Sequence, residues 1–188
     1  MQLKINGKKV FFTCLGSGRQ LLILPGWMHD HAVWQKVQNK LSHNFQVTVL
    51  DFPGFGESEH NPDIKDLSGY AHFLNKVIRE LGLKDFTLLG HSFGGAVAIK
   101  TLSLSPELPV SRLILVDSSG IRRFHPKKII GLFLAKAGKI TFSLPGLRRF
   151  SNPARRFLYK SLKETDYLDA GRLKQTFIRV VNDNIAGL

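Results

Sequence analysis

The sequence predicts an α/β fold: a mostly parallel sheet covered by helices on both faces, followed by a helical lid. Three observations predict it. Short apolar runs at 21–24, 47–50, 86–89 and 113–116 show no polar alternation, as strands buried on both faces require. Helical patterns separate them, so strands and helices alternate as they do around a parallel sheet. Beyond Ser119-Gly120 no further convincing strand run occurs and the remaining patterns read as helices. The expected division is therefore a core over 1–120 and a helical cap over 121–188.

The elements follow in order. Residues 3–5 and 9–14 flank Asn6-Gly7, a pair preferred in two-residue hairpin turns, so a hairpin opens the chain. The run 21–24 ends at Pro25-Gly26, and Ala32, Val33, Val37 and Leu41 then recur at helical spacing. The run 47–50 stops at the turn-rich DFPGFGES. Tyr70, Phe73, Leu74, Val77, Ile78 and Leu81 form the apolar stripe of a second helix, closed by Gly82. Strand 86–89 leads into Gly90, and a helix starting near Gly94 carries Ala96, Val97, Ile99 and Leu102 before strand 113–116. In the cap, Asn152-Pro153 reads as an N-cap with proline at the first helical position, with Phe157, Leu158 and Leu162 on one face. Asp169 is expected to cap a last helix bearing Leu173, Phe177 and Val181 at four-residue spacing.

Composition limits the classes of function. At 43% hydrophobic and 22% charged residues, the chain matches a globular protein with a packed core rather than a disordered tail. Cys14 is the only cysteine, which rules out a disulfide within these residues and favours a reducing compartment. The opening MQLKINGKKVFF lacks the apolar segment of a secretory signal, so a cytoplasmic location is expected. The greasiest stretch, 129–144, is broken by Lys136 and Lys139 and falls short of a membrane span. The net charge of +13 is uneven: residues 121–188 hold 15 Lys/Arg against 4 Asp/Glu, a balance of +11. A solvated basic helical face explains this most simply. Nucleic acid and anionic membrane rank below it as partners, because the pairs Arg122/Arg123, Arg148/Arg149 and Arg155/Arg156 are scattered and no nucleic-acid motif accompanies them.

The chemistry concentrates in Gly90-His91-Ser92-Phe93-Gly94, between an expected strand and an expected helix. So sharp a turn needs small flanking residues and holds the serine hydroxyl out at the top of the sheet, which makes Ser92 a candidate nucleophile. The helix start leaves backbone N–H groups unpaired, and that of Phe93 is placed to receive an oxyanion. A second donor is expected from the loop 24–28, where Gly26 lets the backbone approach and Trp27 presents its N–H. A phosphate-binding reading lacks the lysine it requires. No metal or cofactor is expected.

LPGW, DFPGFGES, LLGHSFGGAVA and LILVDSSG, in this order and spacing, resemble the α/β-hydrolase family, nearest to its small esterase, carbon–carbon bond hydrolase and lipase-like members. The resemblance covers residues 3–119 motif by motif and extends loosely into the cap. It implies Ser92 as nucleophile and Phe93 and Trp27 as the oxyanion hole. It also implies Asp51, Gly54, Gly56 and Ser58 as a turn shaping the site floor, and His91 as a packing residue beside the nucleophile. Pro25 departs from the histidine that often precedes the glycine of this loop. Asp117, at the end of the last strand, is a second-tier candidate for the acid. An apolar substrate under the cap would meet Met28, Phe133, Phe142 and Phe157.

In this family the acid and then the histidine follow the nucleophile in the sequence. His29, His31, His43, His60, His72 and His91 precede or adjoin Ser92 and His125 begins the cap, so none takes the matching place. The resemblance thus implies an incomplete triad in this chain, weak or absent activity, and a core incomplete at its C-terminal edge. The sixth strand would then be a bare apolar edge able to pair with a second copy. The alternative reading is a non-catalytic, hydrolase-derived binding protein whose basic cap contacts anionic lipid or nucleic acid.

Overall fold

The computed structural model describes residues 1–120, 171–183 and 185. The expected helix at Asn152-Pro153 and the pocket candidates Phe133, Phe142 and Phe157 lie outside these residues. Six strands, β1 (Gln2–Ile5), β2 (Lys8–Leu15), β3 (Arg19–Leu24), β4 (Phe45–Leu50), β5 (Phe86–His91) and β6 (Val110–Val116), form one sheet in the order β1-β2-β4-β3-β5-β6. The β1/β2 and β2/β4 pairs are antiparallel; β3/β4, β3/β5 and β5/β6 are parallel. The sheet is therefore mixed, a parallel block with an antiparallel hairpin on one side.

The unbroken apolar runs have a direct explanation. In β3, Leu22 and Leu24 face one layer while Leu21 and Ile23 face the other, and all four are 0–5% exposed. On the second face, Leu21, Ile23, Val47 and Val49 pack against Trp34 and Leu41 of α1 (His31–Leu41). On the first, Leu22, Leu24, Leu50 and Leu88 join the core shared with α2 (Leu67–Glu80) and α3 (Phe93–Leu104). Alternating side chains thus meet helices on both sides, and Thr48 is the one polar residue in the runs 21–24 and 47–50.

Two aspartates start the helices. Asp30 accepts from Ala32 N at 3.0 Å to cap α1, and Asp66 accepts from Gly69 N at 2.9 Å to cap α2. The second cap starts α2 at Leu67, a turn before the apolar stripe suggested.

The C-terminal helix differs from expectation in start and face. A 3-10 turn over Gly171–Leu173 leads into α4 (Lys174–Asn182). Gly171 has φ 47°, a left-handed conformation at which a helix running from Asp169 would break. Leu173 and Val180 are buried at 3% and 7%, whereas Val181 is 55% exposed. Helical geometry accounts for this: at about 100° per residue, position i+7 returns to within about 20° of i, while i+8 has drifted about 80°. The apolar stripe is therefore Leu173, Phe177 and Val180.

The chain separates into two compact units, Met1–Arg122 with Arg172–Leu188, and Arg123–Gly171. The C-terminal segment assigned by sequence to the cap clusters with the core. Among the described residues no helix is long and apolar enough to cross a membrane.

Candidate active site

Strand β5 ends at His91 and α3 begins at Phe93, so a single residue, Ser92, makes the turn between them. It has φ 49° and ψ −115°, the mirror image of extended backbone and a region that L-residues avoid. Holding a serine there costs on the order of 1–3 kcal/mol, and the surroundings must impose it. Ser92 N donates to Val116 O at 3.0 Å. Its carbonyl accepts from Gly95 N at 3.0 Å, Ala96 N at 3.3 Å and Ser119 N at 3.0 Å. The end of β6 and the first turn of α3 thus pin the turn from both sides. Ser92 makes no side-chain cap hydrogen bond, and among the described residues its hydroxyl has no partner at the helix N-terminus.

The flanking glycines answer to close approach. A Cβ on Gly90 would lie 2.6 Å from Gly95 Cα, and one on Gly94 would run into the carbonyl oxygens of Leu24 and Pro25. The backbone of the loop after β3 therefore lies directly against the start of α3. This brings Trp27 and the elbow into one site. Neither Phe93 N–H nor Trp27 N–H donates to a backbone carbonyl among the described residues. Met28 takes φ 56° and is 43% exposed, while the Trp27 side chain is 6% exposed.

The Trp27 indole packs into an aromatic group: Phe55 at 5.0 Å and 76°, Phe93 at 5.1 Å and 87°, and Phe177 of α4 at 5.1 Å and 57° between ring centroids and planes. Phe52 and Tyr70 extend the group behind Phe93, at 5.1 Å and 5.0 Å. Burial raises the Tyr70 phenol well above its ordinary range. Trp27 Nε1 is buried with no hydrogen-bond partner among the described residues.

The floor is built on Asp51, whose side chain is fully buried. Its carboxylate accepts from His31 N at 2.7 Å, from Glu57 N at 3.0 Å and from His31 Nδ1 at 2.9 Å. Ser58 Oγ donates to Asp51 O at 2.7 Å and accepts from Phe11 N at 2.8 Å. A Cβ on Gly56 would collide with the Asp51 carboxylate. These contacts hold the loop after β4 in shape.

His91 packs against Gly26, lies parallel to His29 with ring centroids 6.1 Å apart, and meets Trp34 edge-on at 5.8 Å. Asp117 is exposed at φ 45°, and no hydrogen bond joins it to a histidine among the described residues. Nor does any described histidine bond to the Ser92 hydroxyl. Two features escape sequence reasoning. The His31/Asp51 pair joins positions 20 apart in the chain that only the fold brings together. The C-terminal segment also reaches the loops after β3, β4 and β6: Phe177 meets Trp27, Leu173 lies over Gly54, and Ile185 N donates to Gly120 O at 3.2 Å.

A family model described as alpha/beta hydrolase fold matches residues 20–141. A pimeloyl-[acyl-carrier protein] methyl ester esterase of Pseudoalteromonas atlantica is 37% identical over 106 residues, which are 56% of this chain and 39% of that protein. A soluble epoxide hydrolase of Corynebacterium sp. is 31% identical over 62% of this chain and 40% of its own. An esterase from Exiguobacterium antarcticum superimposes with a TM-score of 0.68 at 23% identity, covering 96% of this chain and 72% of that one. The chain spans only 35–48% of the length of such curated relatives. With the strand order, the serine turn and this match in agreement, the chain belongs to the α/β-hydrolase fold family.

Proposed function

We propose that the protein is a serine hydrolase acting on a small or medium apolar ester-like or carbon–carbon bond substrate, with Ser92 as nucleophile. The strained turn that presents an uncommitted Ser92 hydroxyl at the head of α3 carries this reading. In the reaction, Ser92 Oγ attacks the carbonyl carbon and gives its proton to a base. The N–H groups of Phe93 and Trp27 hold the resulting oxyanion, the leaving group departs with the proton, and water releases the acyl group from Ser92. An ester ranks first among substrates because the 37% identical relative is named a methyl ester esterase.

The serine needs an imidazole within hydrogen-bond reach, and no described histidine is bonded to it. We therefore assign the 188-residue chain weak intrinsic turnover that an external base restores. Hydrolysis of p-nitrophenyl butanoate tests this. Above the uncatalysed background, the rate is expected to be low without imidazole, to rise with added imidazole, and to vanish in Ser92→Ala. A rate unaffected by Ser92→Ala at every imidazole concentration contradicts the proposal.

A second reading rests on the +11 balance of residues 121–188. A non-catalytic binding protein would show salt-sensitive association with anionic vesicles or DNA that persists in Ser92→Ala. Absence of such binding at low salt removes it.

A further inference from the structure

Buried polar atoms in native proteins nearly always find a partner, so one that does not calls for a physical reason. Trp27 is 6% exposed, and its indole Nε1 is buried without a hydrogen-bond acceptor among the described residues. The cost of such an orphan is about 1–3 kcal/mol, and phenylalanine would fill much of the same space without it. Three aromatic rings, Phe55, Phe93 and Phe177, close around the indole at 5.0–5.1 Å. The same residue follows Leu24 and Pro25, whose carbonyls press against Gly94, two residues from Ser92.

Together these leave a donor with no acceptor among the described residues, enclosed by aromatic rings, in the loop that packs against the first turn of α3. We propose that the Trp27 indole N–H reads an acceptor oxygen on the apolar part of the substrate, so that the protein selects acyl or aryl groups carrying a keto, ether or ester oxygen over their all-carbon counterparts. This rests on the reading of Ser92 as the reacting centre and adds a second role to Trp27: its backbone N–H faces the oxyanion, its side chain the substrate body. A site built to bond an oxygen discriminates strongly against a ligand that lacks it, because the buried donor is then left unpaired. Phe177, half-buried on α4, is the third ring against the indole.

The test uses the unreactive pair acetophenone and ethylbenzene, which differ in one oxygen, with the 15N-labelled 188-residue chain. The chain has two tryptophans and so two indole signals, and Trp27→Phe identifies which belongs to Trp27. Acetophenone is expected to move the Trp27 indole proton downfield in a saturable way while the Trp34 signal stays in place. Trp27→Phe should weaken acetophenone binding about tenfold and leave ethylbenzene binding unchanged. The proposal is overturned by any of three results. The Trp27 signal does not respond to acetophenone; both ligands weaken equally, so that only the ring packs; or the signal starts upfield and stays there, so that the N–H points into a neighbouring aromatic face. None of these readouts needs Ser92 to react, so failure of the hydrolase reading, seen in ester turnover, is recorded separately.

Discussion

At Ser92 the backbone holds a conformation that glycine adopts freely and serine does not. Ser92→Gly should therefore be more stable than Ser92→Ala by about 1 kcal/mol, as measured by urea unfolding of the two variants. Gly94→Ala should do the reverse, since its Cβ meets the carbonyls of Leu24 and Pro25; a loss of about 2–4 kcal/mol is expected. Tyr70 adds a pH dependence. Burial raises its folded-state pKa above the ordinary 10.0, so its neutral form contributes stability that is complete below pH 10 and is lost as the pH climbs beyond it. Stability curves of Tyr70→Phe should fall less steeply above pH 10 than those of the parent protein. The elbow was legible in the sequence because its constraint is local: five consecutive residues name the strand end, the turn and the helix start. The Asp51/His31 pair was not, because nothing in two residues 20 positions apart shows that the fold will bring their side chains to 2.9 Å.

The elements show where periodicity suffices and where it misleads. The strands β3 and β4 could be read from their short apolar runs, since both faces are covered and only Thr48 interrupts the runs 21–24 and 47–50. The start of α2 could not be read from the stripe beginning at Tyr70; the N-cap Asp66 sets it. In α4, four-residue spacing pointed to Val181, but the true period of the helix turns that residue out and Val180 in. Val180→Ser is accordingly expected to cost about 1–3 kcal/mol and Val181→Ser no more than about 0.5 kcal/mol in thermal or urea unfolding. Similar costs for both would restore the four-residue face. The position of α4 matters for the site, because Leu173, Phe177 and Ile185 touch the loops after β4, β3 and β6. Its place beside those loops depends on tertiary packing and carries no local sequence signal.

For the molecule as a whole, the outer edge of β6 stands out. Leu113, Ile114, Leu115 and Val116 are 37%, 43%, 41% and 41% exposed, and no strand pairs with that edge among the described residues. Consecutive apolar residues open on both faces of an unpaired strand favour pairing with another chain. The 188-residue chain is expected to self-associate in light scattering, and Ile114→Lys to shift it toward monomer. The parallel strands bring three strand-end loops around one serine: β3 supplies Trp27, β4 the Asp51 floor, and β5 the turn itself. Intact-mass analysis after treatment with an alkyl fluorophosphonate, with and without imidazole, tests that claim most directly. One adduct is expected, on Ser92, forming faster as imidazole is added and absent from Ser92→Ala. No adduct at any imidazole concentration, or an adduct that survives Ser92→Ala, would contradict it.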